Sequence, residues 1–399
     1  MALEGRLAFP VGAACHAGAG DGVTAAILAI VAVAGGLAYA NGANDVSKGI
    51  ATLVGSGVTD YRRAILWGSA WTGVGALLGA LFAGAMLATF GTGLLAEGTT
   101  PTLAAALAVL AGAAAWVLLA TRTGLPVSTT HAIVGSLIGV AAAAYGAQAI
   151  QWSLLGGKVL LPLLLTPFAS LLITGLVLRA TRARSASGRV AADCICAEVA
   201  RPTRIGSAPA SSAALMRGVA ELRIVSGTAE SCDRDRPAAL RVTLGHLHWL
   251  TSGATSLARG MNDAPKIVAL ALSASAIGGP AAVSAPVLYA LVTAAMVAGS
   301  LLAGRRVTRV LAEDVTPLDN RAGFAANLVT AALVTTGAVH GLPMSTTHVA
   351  SGGIFGAGAE RGTLDRRSLL KIALAWVVTL PAAAILGAVA YAIAAALSG

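Results

Sequence analysis

Ten apolar stretches leave this chain few ways to fold. They cover residues 22–57, 64–90, 101–121, 126–150 and 153–179, and then, beyond an Arg-rich interval, 246–273, 281–303, 322–340, 343–358 and 368–397. A helix needs about 20 apolar residues to cross the hydrocarbon of a bilayer, and most of the ten reach that length. They are continuous runs of Ala, Leu, Val and Gly instead of short alternating segments, which excludes a membrane β-barrel. Charged residues make up 11% of the chain and apolar ones 56%, whereas a soluble domain carries about 25% charge. A soluble enzyme, a disordered chain and a disulfide scaffold are thereby excluded. The expected fold is an all-α polytopic membrane protein whose first partner is the lipid bilayer. Its 48 glycines let helix backbones approach closely where lipid supplies no hydrophobic drive between them.

The formal charge is +10, from 27 Lys and Arg against 17 Asp and Glu. The basic residues sit mostly between apolar runs, where they fix topology, so no nucleic-acid partner is expected. Residues 1–20 hold Glu4, Arg6 and Pro10 and lack a compact apolar core with a cleavage site, which argues against a secretory signal. The chain divides into an N-terminal segment 1–21, a membrane half 22–179, a linker 180–245 and a second membrane half 246–399. The linker has ten Arg and six Asp and Glu among Ser, Ala and Pro. It is too polar to span, and it reads as a solvated tether in preference to a regulatory domain. Cys194, Cys196 and Cys232 lie in it and Cys15 precedes the first apolar run. A lone Cys194-Ile195-Cys196 is weak as a metal signature, and neither a disulfide framework nor a resident cofactor is expected.

Two motifs recur. Ala40-Asn41-Gly42-Ala43-Asn44-Asp45-Val46-Ser47-Lys48 returns as Ala258-Arg259-Gly260-Met261-Asn262-Asp263-Ala264-Pro265-Lys266, and Gly124-Leu125-Pro126-Val127-Ser128-Thr129-Thr130-His131 returns as Gly341-Leu342-Pro343-Met344-Ser345-Thr346-Thr347-His348. Both return in the same order at nearly the same offset, so the chain is an internal duplication. Each half has five apolar stretches. Five is odd, so the second half enters the membrane from the opposite side. Loop charge agrees: Arg62 and Arg63 have no basic counterpart in 274–280, whereas Arg305, Arg306, Arg309 and Arg321 answer a loop near 91–100 with none. Likewise Arg361, Arg366 and Arg367 answer a lone Lys158. The bias flips between halves as inverted repeats require. With the linker in the cytoplasm, both termini fall outside a multi-pass cell membrane protein. The first stretch is too long for one simple span and 343–358 is short, so broken or re-entrant helices are expected at the motifs.

Asp45 and Asp263 are the two acids inside apolar stretches. A carboxylate in a bilayer is costly and marks ion or proton pathways. Lys48 and Lys266 follow three residues later, on the same helical face, and Asn44 and Asn262 precede. A self-neutralising Asp–Lys pair would explain one copy; two symmetric copies beside Gly and Asn point to function. In the second motif, Pro suits a first helical turn and Ser or Thr a cap. The open N–H groups and dipole of such a helix end, with the hydroxyls of Ser128, Thr129, Thr130, Ser345, Thr346 and Thr347, suit an oxyanion. Ordinary capping explains one copy well and a matched pair poorly. His131 and His348 rank second, because a satisfied structural histidine fits as well as a proton carrier. Gly135, Gly139, Gly352 and Gly356 read as close helix packing, and Trp67, Trp71, Trp116 and Trp376 as packing or interface anchors.

Gly42-Ala43-Asn44-Asp45 and Gly260-Met261-Asn262-Asp263, with the two Pro-x-Ser-Thr-Thr-His copies, resemble the inorganic phosphate transporter (PiT) family over 22–179 and 246–397. The resemblance implies a secondary transporter, commonly dimeric, that imports inorganic phosphate by symport with protons or sodium. It also leaves room for sulfate or metal–phosphate complexes. Lys48 and Lys266 depart from the family's usual small or amide residues, so their ammonium groups either replace a coupling cation or touch the anion, which favours protons over sodium. Phosphate keeps an O–H at neutral pH that an ionised Asp can accept, and sulfate has none. Loss of such a charged hydrogen bond costs about 1.5–3 kcal/mol, roughly 10- to 150-fold in affinity. An anion channel and an intramembrane hydrolase are the alternatives from other classes. No distinctive nucleophile–base spacing supports the hydrolase, and an enzyme is not expected.

Overall fold

The computed structural model describes residues 20–82, 84–186, 194–200, 221–227, 240–278 and 283–398. Cys15, Cys232 and most of the N-terminal segment lie outside the described residues.

Every apolar stretch contains a helix. In the first half these are α1 (Gly20–Asp45), α2 (Ser47–Gly55), α3 (Tyr61–Leu78), the short α4 (Gly84–Ala88), α5 (Leu103–Thr123), α6 (Thr129–Tyr145) and α7 (Leu161–Ala186). In the second they are α8 (Leu244–Ile277), α9 (Ala285–Ala303), the short α10 (Arg305–Arg309), α11 (Asn320–Val339), α12 (Thr346–Arg361) and α13 (Arg366–Ser398). Among the described residues, seven helical segments are long and apolar enough to cross a membrane: Gly22–Gly55, Tyr61–Phe82, Leu103–Thr123, Trp152–Arg182, Ala285–Ala303, Asn320–Val339 and Arg366–Leu397. The rest of the bundle is α8, which carries Arg259, Asp263 and Lys266 near its middle, and the shorter α6 and α12 of 17 and 16 residues.

Helix ends follow local sequence. Asp60 caps α3 by accepting from the Arg63 N–H, Thr102 caps α5 and Asp319 caps α11. Gly124 closes α5 in the left-handed region at φ 77°, a conformation that suits a residue without Cβ. The chain then runs without regular structure from Leu125 to Ser128, with Ser128 itself extended, before α6 begins.

The halves exchange contacts in matched pairs. α1 packs on α9 as α8 packs on α3, and α6 packs on α13 as α12 packs on α7. The glycines make these approaches. A Cβ at Gly299 would meet the Tyr39 carbonyl and one at Gly75 the Leu257 carbonyl; Gly42 faces the Met296 carbonyl and Gly260 that of Thr72. Gly135 and Gly139 lie on Leu380 and Ala384 of α13, and Gly352 and Gly356 on Pro167 and Leu171 of α7. The four glycines at four-residue spacing thus pack as expected. Trp67 also packs, edge-on to Trp71 and Trp249.

Charge separates along the bundle. At one end Arg306 donates to the Arg122 carbonyl, Arg305 lies over the Tyr61 ring, Arg321 donates to the Thr181 carbonyl, Arg182 pairs with Glu360 and Arg361 with Asp319. The opposite end is formed by the Leu95–Ile150 bridge and by the Tyr145 hydroxyl, which accepts from the Thr102 N–H.

Two expectations need correction. The linker is more than a tether: β1 (Cys194–Ala200), β2 (Glu221–Gly227) and β3 (Leu240–Thr243) form an antiparallel sheet in the order β2-β1-β3. The register sets Glu198 opposite Arg223, and β3 leads straight into α8 through the Thr243 cap. The high Arg and Ser content masks short Val- and Ile-bearing segments that suit strands. Cys194 and Cys196 both lie in β1, and no group of three or more His, Cys, Asp or Glu able to hold a metal occurs among the described residues. The second correction concerns the first motif. The helix is interrupted at Val46, where the Ser47 hydroxyl and Lys48 ammonium both donate to the Asn44 carbonyl and compete with the helical ladder. The second copy sits inside an unbroken α8, although it contains Pro265. There Lys266 turns to Thr130, Asp263 and Met344 instead of its own helix's carbonyls.

Candidate anion-binding site

α6 and α12 begin side by side and run to opposite ends of the bundle. Two hydrogen bonds tie their starts together: the Thr130 hydroxyl donates to the Met344 carbonyl at 3.2 Å, and the Thr347 hydroxyl to the Val127 carbonyl at 2.7 Å. Each residue of the first bond is the repeat-mate of its counterpart in the second. Ser128 and Ser345 are the N-caps, accepting from the His131 and His348 N–H groups at 3.2 Å each. Those N–H groups belong to the third helical position, so the N–H groups of Thr129, Thr130, Thr346 and Thr347 at the first two positions have no intrahelical partner.

α1 and α8 cross beside these ends. Positions 41, 45 and 48 share one face of the first copy, and 259, 263 and 266 the matching face of the second. All six side chains are buried. The Asn41 amide joins the copies, its Nδ2 lying 2.9 Å from Asp45 Oδ2, 3.1 Å from Asp263 Oδ2 and 3.1 Å from Thr129 Oγ1. Thr129 in turn donates to Asp45 Oδ2 at 3.2 Å. Asn44 bonds Thr121, the Leu125 carbonyl and the Val127 N–H, and thereby fixes the turn before α6. Asn262 donates to the Met344 carbonyl and to Asp263 Oδ1. The two Asn-Asp pairs that lie more than 200 residues apart in sequence therefore form one cluster.

Each lysine ammonium has three oxygen partners. Lys48 Nζ lies 2.9 Å from Asp45 Oδ1, 2.7 Å from Asn44 Oδ1 and 2.8 Å from the Asn44 carbonyl. Lys266 Nζ lies 3.2 Å from Asp263 Oδ1, 2.8 Å from Thr130 Oγ1 and 3.0 Å from the Met344 carbonyl. An ammonium has three protons, so both are saturated. Several buried atoms of the cluster have no partner among the described residues: Asn41 Oδ1, Asn262 Oδ1 and Arg259 Nε.

The family now follows from comparison. The phosphate transporter family profile matches residues 41–387. The chain belongs to the phosphate transporter family. It is 30% identical over 377 residues to a Mycobacterium bovis protein named "Probable low-affinity inorganic phosphate transporter", covering 92% of this chain and 76% of that one. It is 27% identical over 387 residues to a chain named as a phosphate permease in Pyrococcus abyssi, covering 89% and 94%. In fold it matches a solved structure described as "The sodium-dependent phosphate transporter", with a TM-score of 0.73 at 21% identity over 92% of this chain and 98% of that one. As a member of this family the chain is a multi-pass transporter and not an enzyme.

Within the family frame, His131 and His348 are drawn together, ring centroids 4.4 Å apart, directly behind the two Thr-Thr pairs. His348 Nδ1 is 3.1 Å from the Leu163 carbonyl, and its ring packs against Trp376 at a tilt of 42°. His131 Nδ1 and His348 Nε2 have no partner among the described residues. Both histidines face an otherwise apolar cavity of about 550 Å³ between α7 and α13, which includes Phe168, Phe355 and Trp376. His248, by contrast, is satisfied on both nitrogens by Asn320 and Thr52.

Sequence reasoning passed over Asn41 and Arg259. Asn41 is the bridge between the copies. Arg259, its repeat-mate, is fully buried, with Nη2 donating to Thr72 Oγ1 at 2.6 Å and to Ser300 Oγ at 3.4 Å. The available signal was a charged residue in the middle of an apolar stretch, four positions before Asp263.

Proposed function

We propose that this protein imports inorganic phosphate across the cell membrane by cation-coupled alternating access, and that the anion binds where α6 and α12 begin. The observation that carries the reading is the reciprocal pair of hydrogen bonds, Thr130 to Met344 and Thr347 to Val127, which brings two positive helix ends to one point. Thr129, Thr130, Thr346 and Thr347 offer N–H and O–H donors to the oxyanion, and Ser128 and Ser345 hold the helix ends open. Asn44 and Asn262 fix the turn and the Met344 carbonyl.

Asp45 and Asp263 each accept from three donors among the described residues, out of about four lone-pair sites. One acceptor site stays open on each, and Asn41 Oδ1 and Asn262 Oδ1 add two buried acceptors without partners. Acceptors beside donors suit an anion that keeps O–H groups. Phosphate has them and sulfate lacks them, so phosphate is the substrate and sulfate the weaker competitor.

The basic end of the bundle faces the cytoplasm in this reading, which puts the linker inside and both termini outside. The halves then rock about the shared site to open it to either side. The direct test is uptake of labelled phosphate into proteoliposomes under separately imposed sodium and pH gradients, with sulfate and arsenate as competitors. Accumulation against a gradient, competed by arsenate more than by sulfate, is the expected result. Downhill flux alone would make the protein a channel, and equal competition by sulfate would remove the role given to the open acceptors.

A further inference from the structure

The carboxylates of the site have cations of their own. Each ammonium fills a cage of three oxygens, one from an Asp carboxylate and two from neutral groups. Carboxylate, carbonyl, amide and hydroxyl oxygens are the set that hard metal cations favour. A sodium ion could use Asp45 or Asp263 in these cages only by displacing an ammonium that is already saturated. The structural neighbour, by contrast, is described as sodium-dependent.

The charge count adds a second observation. Lys48, Lys266 and Arg259 face two carboxylates, which leaves one positive charge over. Lys48 and Lys266 are each paired with an Asp, at 2.9 and 3.2 Å. Arg259 makes no ion pair among the described residues, and its Nε has no hydrogen-bond partner. A buried guanidinium inside a membrane bundle is expensive unless an anion offsets it. Its Nη1 is 3.5 Å from the carbonyl of Asn41, the residue that bridges both carboxylates and Thr129, so the surplus charge lies at the edge of the anion site.

We propose that the site carries its own cations: Lys48 and Lys266 occupy the places a coupling metal ion would need, Arg259 supplies the countercharge for a singly charged oxyanion, and phosphate is carried without sodium. This rests on the phosphate-transport reading above. A dihydrogen phosphate ion brings the buried cluster to neutrality. A sulfate dianion leaves it with one negative charge in low dielectric, which is a further ground for rejecting sulfate.

The test is phosphate–phosphate exchange by the purified full-length protein in proteoliposomes, in sodium-free choline medium and in sodium medium. The wild-type rate should differ by less than about twofold between the two media, a difference of about 0.4 kcal/mol in barrier. Strict sodium dependence overturns the inference and leaves the transport reading standing. No exchange in either medium overturns the transport reading and this inference with it. Arg259 is tested separately by phosphate binding to the detergent-purified protein. Arg259→Gln should weaken binding by about tenfold to a hundredfold, the range for a lost hydrogen bond to a charged group, and Arg259→Lys should recover part of it. Unchanged affinity in a folded Arg259→Gln protein overturns the assignment of Arg259, and so does an Arg259→Lys protein that binds no better than Arg259→Gln.

Discussion

Replacing Asp45 by Asn takes one charge out of a pair sealed from both water and lipid. Lys48 Nζ keeps the two Asn44 oxygens at 2.7 and 2.8 Å but loses its carboxylate at 2.9 Å. The new amide still offers an oxygen, yet the ammonium is left buried among neutral groups. Breaking a buried pair from one side costs about 3–5 kcal/mol, a large part of the roughly 5–15 kcal/mol that holds a typical domain together. Lys48→Gln alone should cost a similar amount, by leaving Asp45 with only Asn41 and Thr129 as donors. The double variant removes both charges at once and keeps polar groups of similar size, so it should return to within about 1–2 kcal/mol of wild type, since a neutral replacement of a buried pair is close to isoenergetic. The coupling energy between the two positions is then at least about 4 kcal/mol, above the roughly 0.5–3 kcal/mol usual for residues in direct contact. Denaturant unfolding of the four detergent-purified proteins measures it. Additive effects, with the double variant as unstable as the sum of the singles, would show that the Asp45–Lys48 contact is not an energetic pair, and the assignment of Lys48 as a resident cation would lose its base. None of the three variants should concentrate phosphate.

The remaining predictions concern packing, caps and crossing contacts. Gly36→Ala, where a Cβ meets nothing within 4 Å, should stabilise α1 by about 0.5–1 kcal/mol; Gly42→Ala drives a methyl into the Met296 carbonyl and should lower the unfolding midpoint and the yield of monodisperse protein. Ser128→Ala should cost about 1 kcal/mol through the lost cap on the His131 N–H, whereas Ser128→Asn keeps the cap and the stability. Uptake by Ser128→Asn should stay near the wild-type rate, and a large loss of uptake at unchanged stability would give Ser128 a role beyond the cap. Thr347→Val leaves the buried Val127 carbonyl without its 2.7 Å donor, which should cost about 1–3 kcal/mol and slow phosphate uptake; a thermal scan and a transport assay on the same preparation check both halves.

The sequence by itself determined the membrane character and the recurrence of the two motifs, and it marked Asp45 and Asp263 as the acids inside apolar stretches, because each of these rests on local information. Hydropathy over about 20 residues decides what enters lipid, and recurrence of Asn-Asp and Ser-Thr-Thr-His at a common offset needs no coordinates. It also marked Ser128 and Ser345 as caps and the paired glycines as contact points, since these depend on immediate neighbours. Tertiary structure decided the rest. Asn41 reads as an ordinary amide until it meets Asp263, 222 residues away, and Arg259 as one more basic residue until it is found buried against Thr72, 187 residues away. The break at Val46 and its absence in α8 depend on whether a lysine finds its oxygens on its own helix or across the bundle. Burial and pairing of charge are properties of what surrounds a residue: Lys48 finds its partners in its own half, whereas Asp263, Lys266 and Arg259 each take a partner from the other half, in Asn41, Thr130 and Thr72.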